Sequence, residues 1–352
     1  MQLRKLDSGA ALRHVAAGLI GALVLSVASA SEVLDSAEAQ ARAAWRGNIE
    51  QIETPARGCF HASYPNLYWE EVACRHAQPR IHSAPRNVNG ENANVVGNGH
   101  DYAAGVRGLI FRTVGSFPIE VGARNERSVG VALFGDGGIL GPHEYSLQIN
   151  SNFGAGSRAC QGVPGCLVWE QFIYATDYYS YPGTGVAGVF IEYWLLGYGD
   201  TCPTPDWFSL PPDCVINSAV VPAPNFPIAD LARERMSASA VVDGEDTLIF
   251  THDRDSYAMS APDSVVDLAT VWNQSEFNVF GDAGGSEAVF NPGSLLWVNV
   301  AVSSGSFAAP SCISNNGTTG ETNNLNLGRC LALPGFPPSI LFPEQNLFPA
   351  TH

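Results

Sequence analysis

Between about residue 99 and residue 305 the chain is a succession of short apolar or alternating runs, separated by Gly, Pro, Asn and Asp. The runs are Gly105 to Val114, Ser128 to Phe134, Glu144 to Ile149, Leu167 to Ala175, Val186 to Tyr198, Ala238 to Val242, Asp246 to Thr251, Ser256 to Ala258, Glu276 to Phe280 and Leu295 to Val302. Runs of this length, closed by turn formers, fit strands far better than helices. Many short strands with turn signals between them predict an all-β antiparallel sandwich or jelly roll. One stretch has helical character, Ile228 to Met236, where Asp230, Arg233 and Glu234 sit around Leu231 and Met236.

The flanks differ. Residues 31 to about 54 read either as a short helix, with Ser36 capping a stretch that reaches Trp45, or as a disordered leader. An aromatic-rich segment follows from Cys59 to Cys74, then a polar, Asn- and Arg-rich connector to about Asn98. From Cys312 onward the chain is rich in Asn, Gly and Pro, which predicts a pinned loop and a tail with little regular structure. The resulting division is residues 1–30, a cleavable leader; 31–98, an N-terminal extension and candidate pro-segment; 99–305, the sandwich; and 306–352, a C-terminal tail. No internal repeat is visible.

The leader follows from its composition. A basic start (Arg4, Lys5, Arg13) precedes an apolar run from about Val15 to Val27 and the small-x-small site Ala28-Ser29-Ala30. This is the pattern of an export signal, and the run falls short of the ~20 residues a spanning helix needs. The expected location is therefore outside the cytoplasm, extracellular or periplasmic, with no membrane attachment once the leader is removed. Its removal takes away Arg4, Lys5, Arg13 and Asp7, so the formal balance of −16 becomes −18. Nucleic acid is excluded as a partner by that charge, because binding it requires clustered cations. Lys5 is the only lysine, so the mature chain has no Schiff-base lysine and no lysine phosphate loop.

Eight cysteines, Cys59, Cys74, Cys160, Cys166, Cys202, Cys214, Cys312 and Cys330, form an even set in an exported chain, which favours disulfides over metal. Their spacing suggests four local loops between sequence neighbours, although many connectivities are open in principle. No two stand at zinc-ligand spacing with a nearby histidine, and no metal or cofactor is expected. The acidic stretch of Asp243, Glu245, Asp246, Asp253 and Asp255 lacks calcium-loop spacing and reads as a solvated turn.

The short motifs of the core, taken in order, resemble the glutamic peptidases of the eqolisin type. Asp101-Tyr102-Ala103-Ala104-Gly105 stands where that family has an Asn-Trp-Ala-Gly-Ala-like strand. Thr113-Val114-Gly115-Ser116-Phe117-Pro118-Ile119 is similar to its Val-Thr-Gly-x-Phe-x-Val-Pro strand, and Val129 to Gly137 to its Trp-Val-Gly-Ile-Asp-Gly strand. Leu147-Gln148-Ile149-Asn150 resembles the Leu-Gln-Thr-Gly segment, Trp169-Glu170-Gln171-Phe172 the Trp-x-Glu-Trp stretch, and Ser275-Glu276-Phe277 the Ala-Glu-Trp-Ile strand. The likeness covers roughly residues 100 to 302 at wider spacing, and it rests on the order of six individually unspecific motifs. The tryptophan before the Asp-Gly turn is absent, and the glutamate of the fifth motif is either shifted to Glu170 or replaced by Gln171. The resemblance, to a divergent relative of bacterial style, implies a concanavalin-like sandwich and an acid endopeptidase acting on polypeptides. It implies Glu276 and Gln148 as catalytic groups, with Asp136, Trp169, Glu170, Tyr193 and Trp194 around the substrate.

Peptide hydrolysis without a metal, serine or cysteine requires a base to activate water and a donor to stabilise the developing oxyanion. A glutamate and a glutamine on facing strands supply both, and a carboxylate base of ordinary pKa near ~4.3 works in acid. By alternation alone Gln148, between Leu147 and Ile149, belongs on the wet face of a strand, as does Glu276 beside Phe277. Asp136 precedes Gly137-Gly138 and is first of all a turn residue. Aromatics such as Trp169, Trp194, Tyr174, Tyr178, Tyr179 and Tyr193 pack cores more often than they line grooves. Gly115-Ser116-Phe117 and Gly285-Ser286-Glu287 are not nucleophile elbows, and the scattered histidines form no H-E-x-x-H. The reading from a different class is a non-catalytic or carbohydrate-binding sandwich with the strand Phe190 to Tyr198 as platform. Its glycosidase version pairs Glu276 with Glu192 or Glu170. Oligomeric state is not encoded in any of these features.

Overall fold

The computed structural model describes residues 37–77, 101–130, 138–178, 185–282, 286–314 and 322–347. The leader, Asp136, Tyr179 and most of the polar connector lie outside these residues. Two large antiparallel sheets dominate, each of ten strands. The first runs Glu70–Val72, Gly58–Ser63, Asp255–Pro262, Glu245–His252, Glu234–Ala240, Arg112–Val121, Leu295–Ser303, Ser339–Gln345 and Asn326–Leu327, with Leu331–Leu333 also on Ser339–Gln345. The second runs Phe208–Leu210, Asp213–Asn217, Val186–Leu196, Leu167–Ala175, Tyr145–Ser151, Gln274–Gly281, Tyr102–Gly105 and Ser311–Ser314. Val221–Pro224 and Gly154–Ala155 pair with its Val186–Leu196 and Leu167–Ala175 strands. A small third sheet contains Thr322–Asn323, Glu287–Phe290, Glu126–Gly130 and Gly138–Pro142.

The two large sheets enclose one apolar core. Leu147, Ile149, Phe172, Tyr174, Val189, Ile191, Phe277 and Val279 enter it from the second sheet. Phe117, Met236, Ala238, Leu248, Phe250, Val298, Val300 and Phe342 enter it from the first. Aromatic pairs join the layers: Phe250 stacks on Tyr174 with centroids 4.0 Å apart, and Phe117 meets Phe277 at 5.0 Å. The four disulfides are Cys59–Cys74, Cys160–Cys166, Cys202–Cys214 and Cys312–Cys330, each between sequence neighbours. No helix among the described residues is long and apolar enough to cross a membrane.

Three elements differ from the sequence expectation. The run Gly105 to Val114 is two strands in different sheets, Tyr102–Gly105 and Arg112–Val121, because residues between them carry the chain from one layer to the other. The helical stretch Ile228 to Met236 is a short 3-10 turn, Ile228–Arg233, that gives way to strand Glu234–Ala240. Met236 and Ala238 continue a period of two into the core, and this outweighs the spacing of Leu231 and Met236. The tail expected to lack regular structure supplies Ser339–Gln345, a strand inside the first sheet with Ile340, Phe342 and Glu344 buried. Pro343 within it is the kind of residue that argues against an interior strand.

The N-terminal segment, read as an extension, is built into the sandwich. Residues 37–49 form a helix whose Trp45 and Ile49 pack on Phe60, Ala62, Ile249 and Ala258, on the outer side of the first sheet. Strand Gly58–Ser63 then pairs along its whole length with Asp255–Pro262.

Gly115 is where the two layers come closest beside the Glu276 strand. A Cβ at this position would fall inside the Phe277 ring. Gly115→Ala is expected to lower the unfolding free energy by about 1–3 kcal/mol, the usual cost of overpacking. Urea denaturation checks this, and a midpoint equal to wild type would show that Phe277 yields freely.

Candidate functional site

Alternation along the second sheet decides which side chains can meet. Leu147 and Ile149 turn into the core, so Ser146, Gln148 and Asn150 turn to the opposite face. The same parity puts Glu276 and Asn278 opposite Phe277 and Val279, Trp169 and Gln171 opposite Val168 and Phe172, and Glu192 and Trp194 opposite Ile191 and Leu195. The registers then align these residues. Asn217 pairs with Glu192, Glu192 with Gln171, Gln171 with Asn150 and Asn150 with Glu276. The result is a row of five polar side chains crossing five neighbouring strands at one level.

Apolar clusters flank the row on both sides. Phe153, Trp169, Trp194, Leu196 and Val215 lie on one, and Ile173, Ala175, Tyr178, Phe190 and Val220 on the other. Gln148 is opposite Asn278 and therefore diagonal to Glu276 on the adjacent strand, an arrangement that separates Cβ atoms by roughly 7–8 Å.

The polar groups hold one another. Asn150 Nδ2 donates to Glu276 Oε2 at 2.8 Å. Gln148 Nε2 donates to Ser146 Oγ at 2.9 Å, while its Oε1 accepts from Gln171 Nε2 at 3.0 Å. Trp194 Nε1 in turn donates to Gln171 Oε1 and to Glu192 Oε1, both at 3.0 Å. This chain fixes which end of the Gln148 amide is nitrogen. Glu276, Asn150, Gln171 and Glu192 are fully buried and Gln148 nearly so. A buried polar group without a partner is uncommon, yet the Trp169 indole N–H and Asn150 Oδ1 on this same face have none among the described residues.

The structure brings together Gln148, Glu276, Trp169 and Trp194 from the expected set. It leaves out Glu170 and Tyr193, whose side chains turn into the core between the sheets, so parity selects Gln171 over Glu170 for the shared face. Asp136 lies outside the described residues. Asn150 and Gln171 were not among the expected site residues as partners of Glu276 and Gln148; their shared parity with those two was the available signal. The glycosidase pairing fits poorly. Glu170 faces the wrong way, and Glu192 stands three strands from Glu276, roughly 14 Å at ordinary strand spacing, wider than the roughly 5–9.5 Å such carboxylates need. Phe190 and Trp194 of the aromatic strand are fully buried, as is Glu276 on the same face. No group of His, Cys, Asp and Glu among the described residues has metal-binding geometry.

No protein-family model matches the sequence, and no curated protein matches it. Solved structures give low-scoring similarities. Scytalido-glutamic peptidase with a transition state analog inhibitor superposes with a TM-score of 0.32 at 11% identity, over 69% of this chain and 97% of that one. The same peptidase with a peptide based transition state analog gives 0.28 at 13%, over 70% and 98%. SCP-B, a member of the Eqolisin family of peptidases, in complex with the tripeptide Ala-Ile-His, gives 0.26 at 12%, over 68% and 97%.

Asn150 is the residue whose loss tests the row. Asn150→Leu leaves the Glu276 carboxyl without its side-chain amide donor, and a cost of about 1–3 kcal/mol in urea-unfolding free energy is expected. A variant as stable as wild type would show that the bond contributes nothing net.

Proposed function

We propose that this protein is an exported acid endopeptidase in which Glu276 is the general base and the Gln148 amide the oxyanion donor. The observation that carries the reading is their placement: one carboxyl and one oriented amide, diagonal on adjacent strands of a single enclosed face. The six-motif order in the sequence points to the same two residues. In the proposed reaction Glu276 takes a proton from water as the water oxygen bonds to the scissile carbonyl carbon. The Gln148 N–H donates to the carbonyl oxygen as it becomes negative, which is where a preorganised dipole lowers the barrier. The C–N bond then breaks, and Glu276 returns its proton to the departing amine.

Asn150 and Gln171 act as positioning residues, Asn150 on the Glu276 carboxyl and Gln171 on the Gln148 carbonyl oxygen. The unpartnered Trp169 N–H and Asn150 Oδ1 offer one donor and one acceptor. A peptide group has the complementary acceptor and donor, which supports a polypeptide substrate. Asp136 is kept as a substrate-side residue of the proposal on the strength of the motif alone, while Glu170 and Tyr193 have no part in it. Strand Gly58–Ser63 is paired to Asp255–Pro262, so a removed pro-segment that includes it is not part of the proposal.

Glu276→Gln is expected to abolish casein cleavage at acid pH while the circular dichroism spectrum and unfolding midpoint stay near wild type. Gln148→Ala is expected to lower kcat by about 10²–10³-fold, the typical loss of one oxyanion donor. Cleavage retained by a purified, folded Glu276→Gln protein would end the assignment.

A further inference from the structure

Three carboxyl groups are sealed between the two large sheets. Glu170 turns inward from the Leu167–Ala175 strand of the second sheet and Asp246 from the Glu245–His252 strand of the first. Asp263 opens the 3-10 turn that follows strand Asp255–Pro262. All three are fully buried. The charges of Asp246 and Asp263 act on Glu170, and that of Asp263 on Asp246, so the three carboxyls are electrostatic neighbours. One Asp263 oxygen accepts from the Ala269 N–H at 2.9 Å. Among the described residues, both Glu170 oxygens and both Asp246 oxygens meet no N–H or O–H donor, whereas Asp263 has the backbone N–H groups of Ala269 and Asp243 beside it.

The surrounding charges offer no neutralisation. Glu245, next to Asp246 in the same strand, adds to the repulsion felt by Asp246 and the buried Tyr193 hydroxyl, and its own partner is Arg57 at 2.6 Å. Asp267 faces Asp263 and is paired with Arg158, which also holds Asp243 at 2.8 Å. Both arginines are thus occupied at the rim. An ionised carboxylate sealed without a cation is strongly unfavourable. Carboxyl groups facing one another satisfy each other only when a proton is shared, since a protonated carboxyl is a donor and an ionised one accepts only.

We propose that Glu170, Asp246 and Asp263 form a proton-dependent latch that joins the two sheets in acid and releases them as the pH rises toward neutrality. Burial, then mutual repulsion, holds Glu170 and Asp246 well above the ordinary carboxylate range, and burial raises Asp263. The folded chain therefore keeps protons that the unfolded chain has lost above about pH 4. The stabilisation is fully present below that pH and is lost as the pH climbs through the folded-state titration. Each proton so held makes the unfolding constant rise by up to about tenfold per pH unit. The latch lies on the face of the second sheet opposite Gln148 and Glu276, so it does not rest on the peptidase reading. Other buried acids, Glu126, Glu344 and Glu234, the last pushed up to about 8 by burial, add a baseline of the same sign.

The test measures urea-unfolding constants of the full chain between pH 4 and pH 7 for wild type, Glu170→Gln and Asp246→Asn. Each amide has the shape of the protonated acid and carries a permanent donor. Both variants are expected to match wild type within about threefold at pH 4. Between pH 4 and pH 7 their unfolding constants should climb less steeply, by up to about tenfold per pH unit for the proton removed. Slopes parallel to wild type in both variants would overturn the latch, and so would failure of both isosteric amides to fold at pH 4.

Discussion

Four neighbouring strands of the second sheet are buried on both faces, so every polar side chain on the face away from the core must find hydrogen bonds from its neighbours there. Asn150, Gln171, Glu192 and Glu276 share one level across these strands, with Gln148 one step along. Along the row two amides, Gln171 and Asn150, stand between two carboxyls, Glu192 and Glu276, and an amide can donate to one neighbour while accepting from another. The Trp194 N–H, serving both Gln171 and Glu192, closes one end of the chain of bonds. A row arranged in this way is stiff, because rotating one amide breaks the bonds of the next. Under the proposed function, that stiffness is the preorganisation a developing oxyanion requires.

The inward face obeys a different economy. There the sheets meet through Phe250 on Tyr174 and Phe117 on Phe277, and the few polar groups caught between them are acids without bases. With no lysine beyond Lys5 the chain has arginine and histidine to neutralise such groups, and the described arginines near them sit at the rim. The two faces of one sheet thus treat buried polarity differently: a chain of amide-centred hydrogen bonds outside, and carboxyls proposed to share protons within.

Much of this was visible in the residue order, and the failures have physical causes. Strands Leu167–Ala175 and Leu295–Ser303 were read at or near their true limits because turn formers close them on both sides. Motif order singled out Gln148 and Glu276, and the structure puts them on one face; that Asn150 and Gln171 lie beside them needed the strand registers, which periodicity alone does not supply. The choice between Glu170 and Gln171 turned on a single-residue parity. The charged, apolar-spaced stretch around Leu231 imitated a helix until Met236 and Ala238 were required by the core. Strand Ser339–Gln345 was hidden by Pro343 within it and Pro337-Pro338 before it; its place beside Leu295–Ser303 is a long-range pairing that only the folded chain reveals.

The first bridge, Cys59–Cys74, begins and ends inside the N-terminal segment. It closes that segment on itself and ties it to nothing beyond. A protease that nicked the chain after residue 77 would leave a self-contained cap, attached through the ladder to Asp255–Pro262 and the seat of Trp45. Were that cap to depart, Asp255–Pro262 would become a bare sheet margin with unpaired N–H and C=O groups, an invitation to self-association. Retention of the nicked piece would therefore protect the solubility of the remainder.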